Sequence, residues 1–173
     1  MRVGDDTDKR QNIGGSQITV LVVDDFPLVR SVVSHWLKQA GAFDVVETCG
    51  SAEEALGLIS RNPPDVLVAD IKLPDSDGLN LAEAARRIRP SLRILILTAA
   101  DDACYARKAA KLGIEGYIRK TASLSRLVDA VRSVASGATV YELAAIGCHN
   151  SEIAERLFVS LKTVEYHVAN LLA

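Results

Sequence analysis

From Ile18 onward the chain alternates short apolar runs with longer stretches in which apolar residues recur at helical spacing. "ITVLVVD", "DVLVAD" and "RILILT" are nearly continuous in Val, Ile and Leu, as strands buried on both faces must be. "DVVETC" is more mixed and predicts a partly exposed strand; "GYIRK" predicts a short final one. Between them lie "PLVRSVVSHWLKQA", "SAEEALGLIS", "LNLAEAARRIR", "DDACYARKAAKL" and "SLSRLVDAVRSVA", each long enough for a crossover helix. Ser51 is a candidate N-cap with Glu54 as its capping-box partner. Gly41 and Gly113 stand where helices want a left-handed terminating residue.

Strict alternation of strand and helix implies parallel pairing through right-handed crossovers, with helices on both faces of the sheet. The pattern therefore predicts an α/β, flavodoxin-like, doubly wound domain with five parallel strands over residues 18–136. Residues 1–17 hold no apolar run and are expected to form a flexible arm, with neither signal peptide nor membrane anchor. Residues 137–173 remain as a short all-α tail. Twenty basic and 22 acidic residues give a formal net charge of −2, so overall charge argues for no partner class. Three widely spaced cysteines fit neither a zinc site nor a disulfide framework, and a cytoplasmic setting is expected.

In open parallel sheets, ligand sites lie beyond the carboxyl ends of the strands. Asp24 and Asp25 follow the first strand, Asp70 the third, Thr98 the fourth and Lys120 the fifth. Three acids, a hydroxyl and an amine are thus expected in one cleft. Neighbouring carboxylates resist joint ionisation unless a cation compensates them, and an all-oxygen ligand set suits magnesium. Singly, each residue has a plainer reading: acids near a helix N-terminus, a turn-forming Asp70, a strand Thr98, a solvated Lys120, a packing Tyr117.

The ordered set "VLVVDDFP", "VLVADIKLPDSDGL", "ILTAAD" and "GYIRK" resembles the receiver domain of two-component response regulators. The tail, through Ser160 to Val164 and His167–Val168 of "NSEIAERLFVSLKTVEYHVANLL", resembles that of the NarL/FixJ (LuxR-type) branch. The resemblance implies Asp70 as phosphoacceptor, served by a sensor histidine kinase. Asp24 and Asp25, with Asp70 and the backbone carbonyl of Lys72, would hold magnesium. It further implies that Thr98 hydrogen-bonds the phosphoryl group, that Lys120 pairs with it, and that Tyr117 is an aromatic switch following Thr98. Such a chain is expected to accept a phosphoryl group rather than to turn over substrate as an enzyme. A small-molecule phosphatase with an aspartate nucleophile would need a second carboxylate two residues on, where this chain has Lys72.

In the tail, Ser151–Leu157 and Leu161–Leu172 flank a tight "FVS" turn, as a helix-turn-helix requires. Ile153, Ala154, Leu157, Val159, Val164 and Val168 would share an apolar face, leaving Lys162, Thr163, Tyr166 and Asn170 for DNA. Ser160 to Val164 and His167–Val168 carry the LuxR-type likeness. Compared with that family, almost no linker precedes the tail, its first helix lacks the usual start, and the residues stop where a fourth helix is expected, so a shortened tail is the expectation. Residues 151–173 also carry more Glu than Lys and Arg, and counterion release needs positive charge. The expected function is phosphorylation-dependent control of transcription, through a homodimer if two tails pair across a two-fold axis. The alternative is a receiver working through protein contacts or competing for phosphoryl groups, with a tail unable to bind DNA.

Overall fold

A computed structural model describes residues 17–99 and 103–141. The chain runs β1 (Ile18–Val23), α1 (Pro27–Gln39), β2 (Phe43–Cys49), α2 (Ala52–Arg61), β3 (Val66–Asp70) and α3 (Gly78–Ile88). It continues through β4 (Arg93–Thr98), α4 (Ala103–Lys111), β5 (Gly116–Arg119), α5 (Leu124–Ala135) and β6 (Val140–Tyr141). The sheet order is β2-β1-β3-β4-β5-β6, and every neighbouring pair is parallel.

Period-two alternation divides the strand residues between two cores. Leu21, Val23, Leu67, Ala69, Ile94, Ile96 and Tyr117 join Ala55 and Ile59 of α2, Ala82 and Ala85 of α3, and Ala106 and Ala109 of α4. Val20, Val22, Val66, Val68, Leu95, Leu97 and Ile118 face Val33 and Leu37 of α1 and Leu127, Val131 and Val134 of α5. Both faces are covered, so the central strands are apolar throughout. β2 lies at an edge, which accounts for its mixed sequence.

Local signals held with one change. Ser51 accepts from the Glu54 amide at 3.3 Å, but the Glu54 carboxylate turns back to the Gly50 amide rather than to Ser51. Gly41 and Gly113 both have φ of 66°. Cys49 is buried, and burial first, then the charge of Glu54, pushes its thiol up to about 11, fitting a packing role. Cys104 is exposed, while Cys148 lies outside the described residues. No helix among the described residues is long and apolar enough to cross a membrane.

Among the described residues the sheet has six strands, not five. Where residues 137–173 are expected to be all-α, Val140–Tyr141 form β6 instead. Gly137 adopts φ of +88°, a left-handed turn, and its amide and that of Ala138 close back onto the carbonyls of Val134 and Ser133. The chain thereby reverses into the open edge of β5, with the Val140 amide donating to the Glu115 carbonyl at 2.7 Å.

Candidate functional site

Strand register brings the site together. Val23 pairs with Ala69, so the residues that follow, Asp24 and Asp70, fall level at the carboxyl end of the sheet. Asp70 pairs with Leu97, which puts Thr98 one step further along β4. Thr98 pairs with Arg119, and its carbonyl accepts from the Lys120 amide at 2.7 Å. Asp24, Asp70 and Thr98 are the buried polar residues among those described, at 1%, 6% and 1% exposure, whereas Asp25 is exposed.

The Lys120 ammonium lies between two carboxylates, 2.6 Å from Asp24 Oδ2 and 2.7 Å from Asp70 Oδ2. Burial lowers its pKa, but hydrogen bonds and Coulomb attraction from Asp24 and Asp70 together outweigh that effect and raise it. The amine is therefore held charged. It supplies part of the positive charge that the acidic cluster requires.

One oxygen each from Asp24, Asp25 and Asp70 lies within 4.8 Å of the others. Opposite ligands of one magnesium stand about 4.2 Å apart, twice its usual bond length, so a small closure or a bridging water fits them to a single ion. Three carboxylates against one ammonium also leave a formal surplus of two negative charges when all are ionised. The donor set and its charge both suit a hard divalent cation. Lys72 has an exposed side chain and forms an antiparallel bridge with Asp77.

The loop after Asp70 is tightly wound. The Gly78 amide donates to Ile71 O at 2.7 Å, and a Cβ on Gly78 would collide with Asp70 O. Glycine is required there because the backbone beside the acidic site passes too close for a side chain. Asp77 caps α3 by accepting from the Leu79 amide at 2.7 Å.

Two supporting residues escape sequence reasoning. Asp75 reaches from this loop to the N-terminus of α2, accepting from the Ala52 and Glu53 amides at 2.9 Å each; these bonds hold its carboxyl below the usual range. Arg30 donates from α1 to the carbonyls of Asp24 and Asp25 at 2.5 and 3.2 Å. Their partners are backbone groups, which carry no residue identity that a motif could reveal.

Tyr117 is 2% exposed and belongs to the core cluster on the α2, α3 and α4 face. Its ring stacks on that of Tyr141, a neighbour the sequence did not suggest. The proposed DNA-contacting residues Lys162, Thr163, Tyr166 and Asn170 lie outside the described residues, as do residues 1–16.

Comparison with known families decides the class, since the family described as response regulator receiver domain matches residues 20–132. The chain is a response regulator. Residues 138–173 match the family described as bacterial regulatory proteins, luxR family. This response regulator is 28% identical to the response regulator protein VraR of Staphylococcus aureus over 186 aligned positions, covering 90% of the chain and 89% of that protein. A LuxR-family two-component response regulator from Aurantimonas sp. SI85-9A1 aligns with a TM-score of 0.69 at 27% identity, over 82% of this chain and 96% of that one. The signal receiver domain of a putative response regulator NarL from Mycobacterium tuberculosis aligns at 0.66 and 31%, over 71% and 99%. A receiver joined to a LuxR-type segment makes the response regulator a phosphorylation-dependent regulator of transcription.

Proposed function

We propose that Asp70 is the phosphoacceptor and that a sensor histidine kinase is the donor. The observation that carries this reading is the convergence of Asp70 with Asp24 and Lys120 at the ends of three strands. A carboxylate oxygen of Asp70 attacks phosphorus, an O–P bond forms, the N–P bond to the donor imidazole breaks, and a mixed anhydride results. Asp24, Asp25, Asp70 and the Lys72 carbonyl would hold magnesium, which would supply charge neutralisation at the phosphoryl oxygens. Lys120 pairs with one of those oxygens in exchange for its bond to Asp70. Thr98, one step beyond Asp70 on the adjoining strand, turns its hydroxyl toward the phosphoryl group, and Tyr117 follows it.

Phe26, Leu28, Val32 and Trp36 are exposed on and before α1, and the Phe26 ring lies 5.8 Å from the Lys120 ammonium. Their apolar surface adjoins the mouth of the site and suits docking of the phosphohistidine-bearing domain. The regulator acts in the cytoplasm, and its LuxR-type segment contacts DNA through Lys162, Thr163, Tyr166 and Asn170. With Lys162 and Arg156 set against Glu152, Glu155 and Glu165, one copy has little charge for phosphates, so binding depends on two copies pairing across a two-fold axis.

The test is phosphoryl uptake from a small acyl phosphate with magnesium. The parent chain takes up one base-labile equivalent, and Asp70→Asn takes up none while keeping its circular dichroism spectrum. An equivalent incorporated by the Asp70→Asn variant would show that another residue is the acceptor.

A further inference from the structure

We propose that β6 is a clasp in which Tyr141 positions the switch residue Tyr117, and that phosphorylation of Asp70 opens it, releasing the first residues of the LuxR-type segment. This rests on the assignment of Asp70 and Tyr117 above. Three independent observations carry it.

The first is contact. Tyr117 and Tyr141 pair in register across β5 and β6, and their rings lie 6.2 Å apart at an interplanar angle of 6°. The Tyr141 hydroxyl donates to Ile114 O at 2.7 Å, just ahead of β5. Burial first, and the charge of Glu115 second, pushes that hydroxyl up, which keeps it a donor. Tyr117 cannot change rotamer without withdrawing the surface on which Tyr141 rests.

The second is slightness. β6 has two residues and occupies the sheet edge, and elements of this kind lie at the low end of local stability. A rearrangement of one ring beneath it is enough to shift its equilibrium. Gly137 sets the short reversal that brings β6 back to β5, so the strand stays beside its edge when closed.

The third is shared sequence. The LuxR-family match begins at residue 138, while residues 140 and 141 are an edge strand of the receiver sheet. The same residues therefore serve two units, and when they are zipped onto β5 they are withheld from the second. Coupling of this kind is reciprocal: whatever draws residues 138–141 away from the sheet also eases the movement of Tyr117 and favours the phosphorylated receiver.

The experiment is hydrogen exchange on the full chain, read for the peptide spanning residues 138–141, with and without a small acyl phosphate and magnesium. Phosphoryl content is measured on the same samples. In the parent chain we expect exchange of this peptide to accelerate at least about tenfold as Asp70 is phosphorylated. Tyr141→Ala is expected to exchange rapidly in both states. Tyr141→Phe, which keeps the stacked ring, restores the phosphorylation-dependent change. A peptide covering Ile96 stays slow throughout, separating local opening from global unfolding.

A packing role alone would make Tyr141→Ala faster in both states but would leave the parent chain without a phosphorylation response. Phosphoryl on Asp70 with unchanged exchange at 138–141 overturns the clasp and leaves the site assignment standing. Failure of Asp70 to take up phosphoryl overturns the assignment, and the clasp with it, because its trigger is gone.

Discussion

Replacing Lys120 by Met tests whether the amine is the resident counterion of the acidic site. In the parent, its ammonium lies 2.6 Å from Asp24 and 2.7 Å from Asp70, whose side chains are 2% and 8% exposed. Removing one partner of a buried ion pair commonly costs ~3–5 kcal/mol, because the remaining charge is left in a poor solvent. Here the Lys120 side chain keeps 15% exposure and Asp25 opens to solvent, so water offsets part of that loss. We expect Lys120→Met to lose about 2–3 kcal/mol in magnesium-free urea unfolding, lowering the midpoint by roughly 1–2 M. Asp24→Asn removes the charge that is stranded, so the double variant is expected to recover about 1–2 kcal/mol relative to additivity. Magnesium should stabilise Lys120→Met more than the parent, since the variant presents a larger uncompensated charge. A Lys120→Met chain within about 0.5 kcal/mol of the parent, or strict additivity with Asp24→Asn, would refute this account of the site.

Two further outcomes follow from the same geometry. Gly78→Ala drives a Cβ into Asp70 O and to 2.9 Å from Asp70 C, both backbone atoms, so the loop itself must move; we expect ~1–3 kcal/mol lost and phosphoryl uptake slowed at least about tenfold, and a variant with parental uptake would show that the close approach does not position Asp70. Because the Lys120 pKa is raised on folding, its contribution is complete below the ordinary lysine value and is lost as pH rises through the folded value. Parental stability should therefore fall more steeply than that of Lys120→Met above about pH 10.4, and parallel curves would count against the ion pairs.

β1, β3 and β4 were legible because burial on both faces leaves continuous Val, Ile and Leu runs, and the mixed β2 and short β5 because a parallel sheet obliges strands to alternate with helices. The acidic residues and Lys120 were legible for a related reason: each closes a strand or stands within two residues of its end, and topology brings those ends together. β6 was hidden because two residues establish no period, and because Val140 and Tyr141 precede Leu143, Ala144 and Ala145, a run that suits a helix equally well. Asp75 and Arg30 were hidden because they bind amides and carbonyls made available by the fold. Tyr117 was visible as an aromatic residue near the site, but its partner Tyr141 depends on the reversal at Gly137.

The position of Lys120 also offers a route by which phosphorylation at the proposed acceptor would reach β6. Before phosphorylation its ammonium is divided between Asp24 and Asp70, the two acids that most need a counterion because they are buried. On the assignment proposed above, phosphorylation would convert the Asp70 carboxylate to an acyl group and introduce roughly two negative charges on the phosphoryl oxygens. The strongest nearby acceptor would then lie further out, and the ammonium would follow it. Lys120 is bound through its own amide to the Thr98 carbonyl, and Thr98 and Lys120 stand at the ends of β4 and β5. Lys120 and Thr98 are thus joined through the backbone, and Tyr117 lies on β5, three positions before Lys120. The outer edge of that strand is where β6 and Tyr141 rest. A displacement of charge at the carboxyl end of the sheet therefore has a short mechanical path to the first residues of the LuxR-type segment, carried by a single strand.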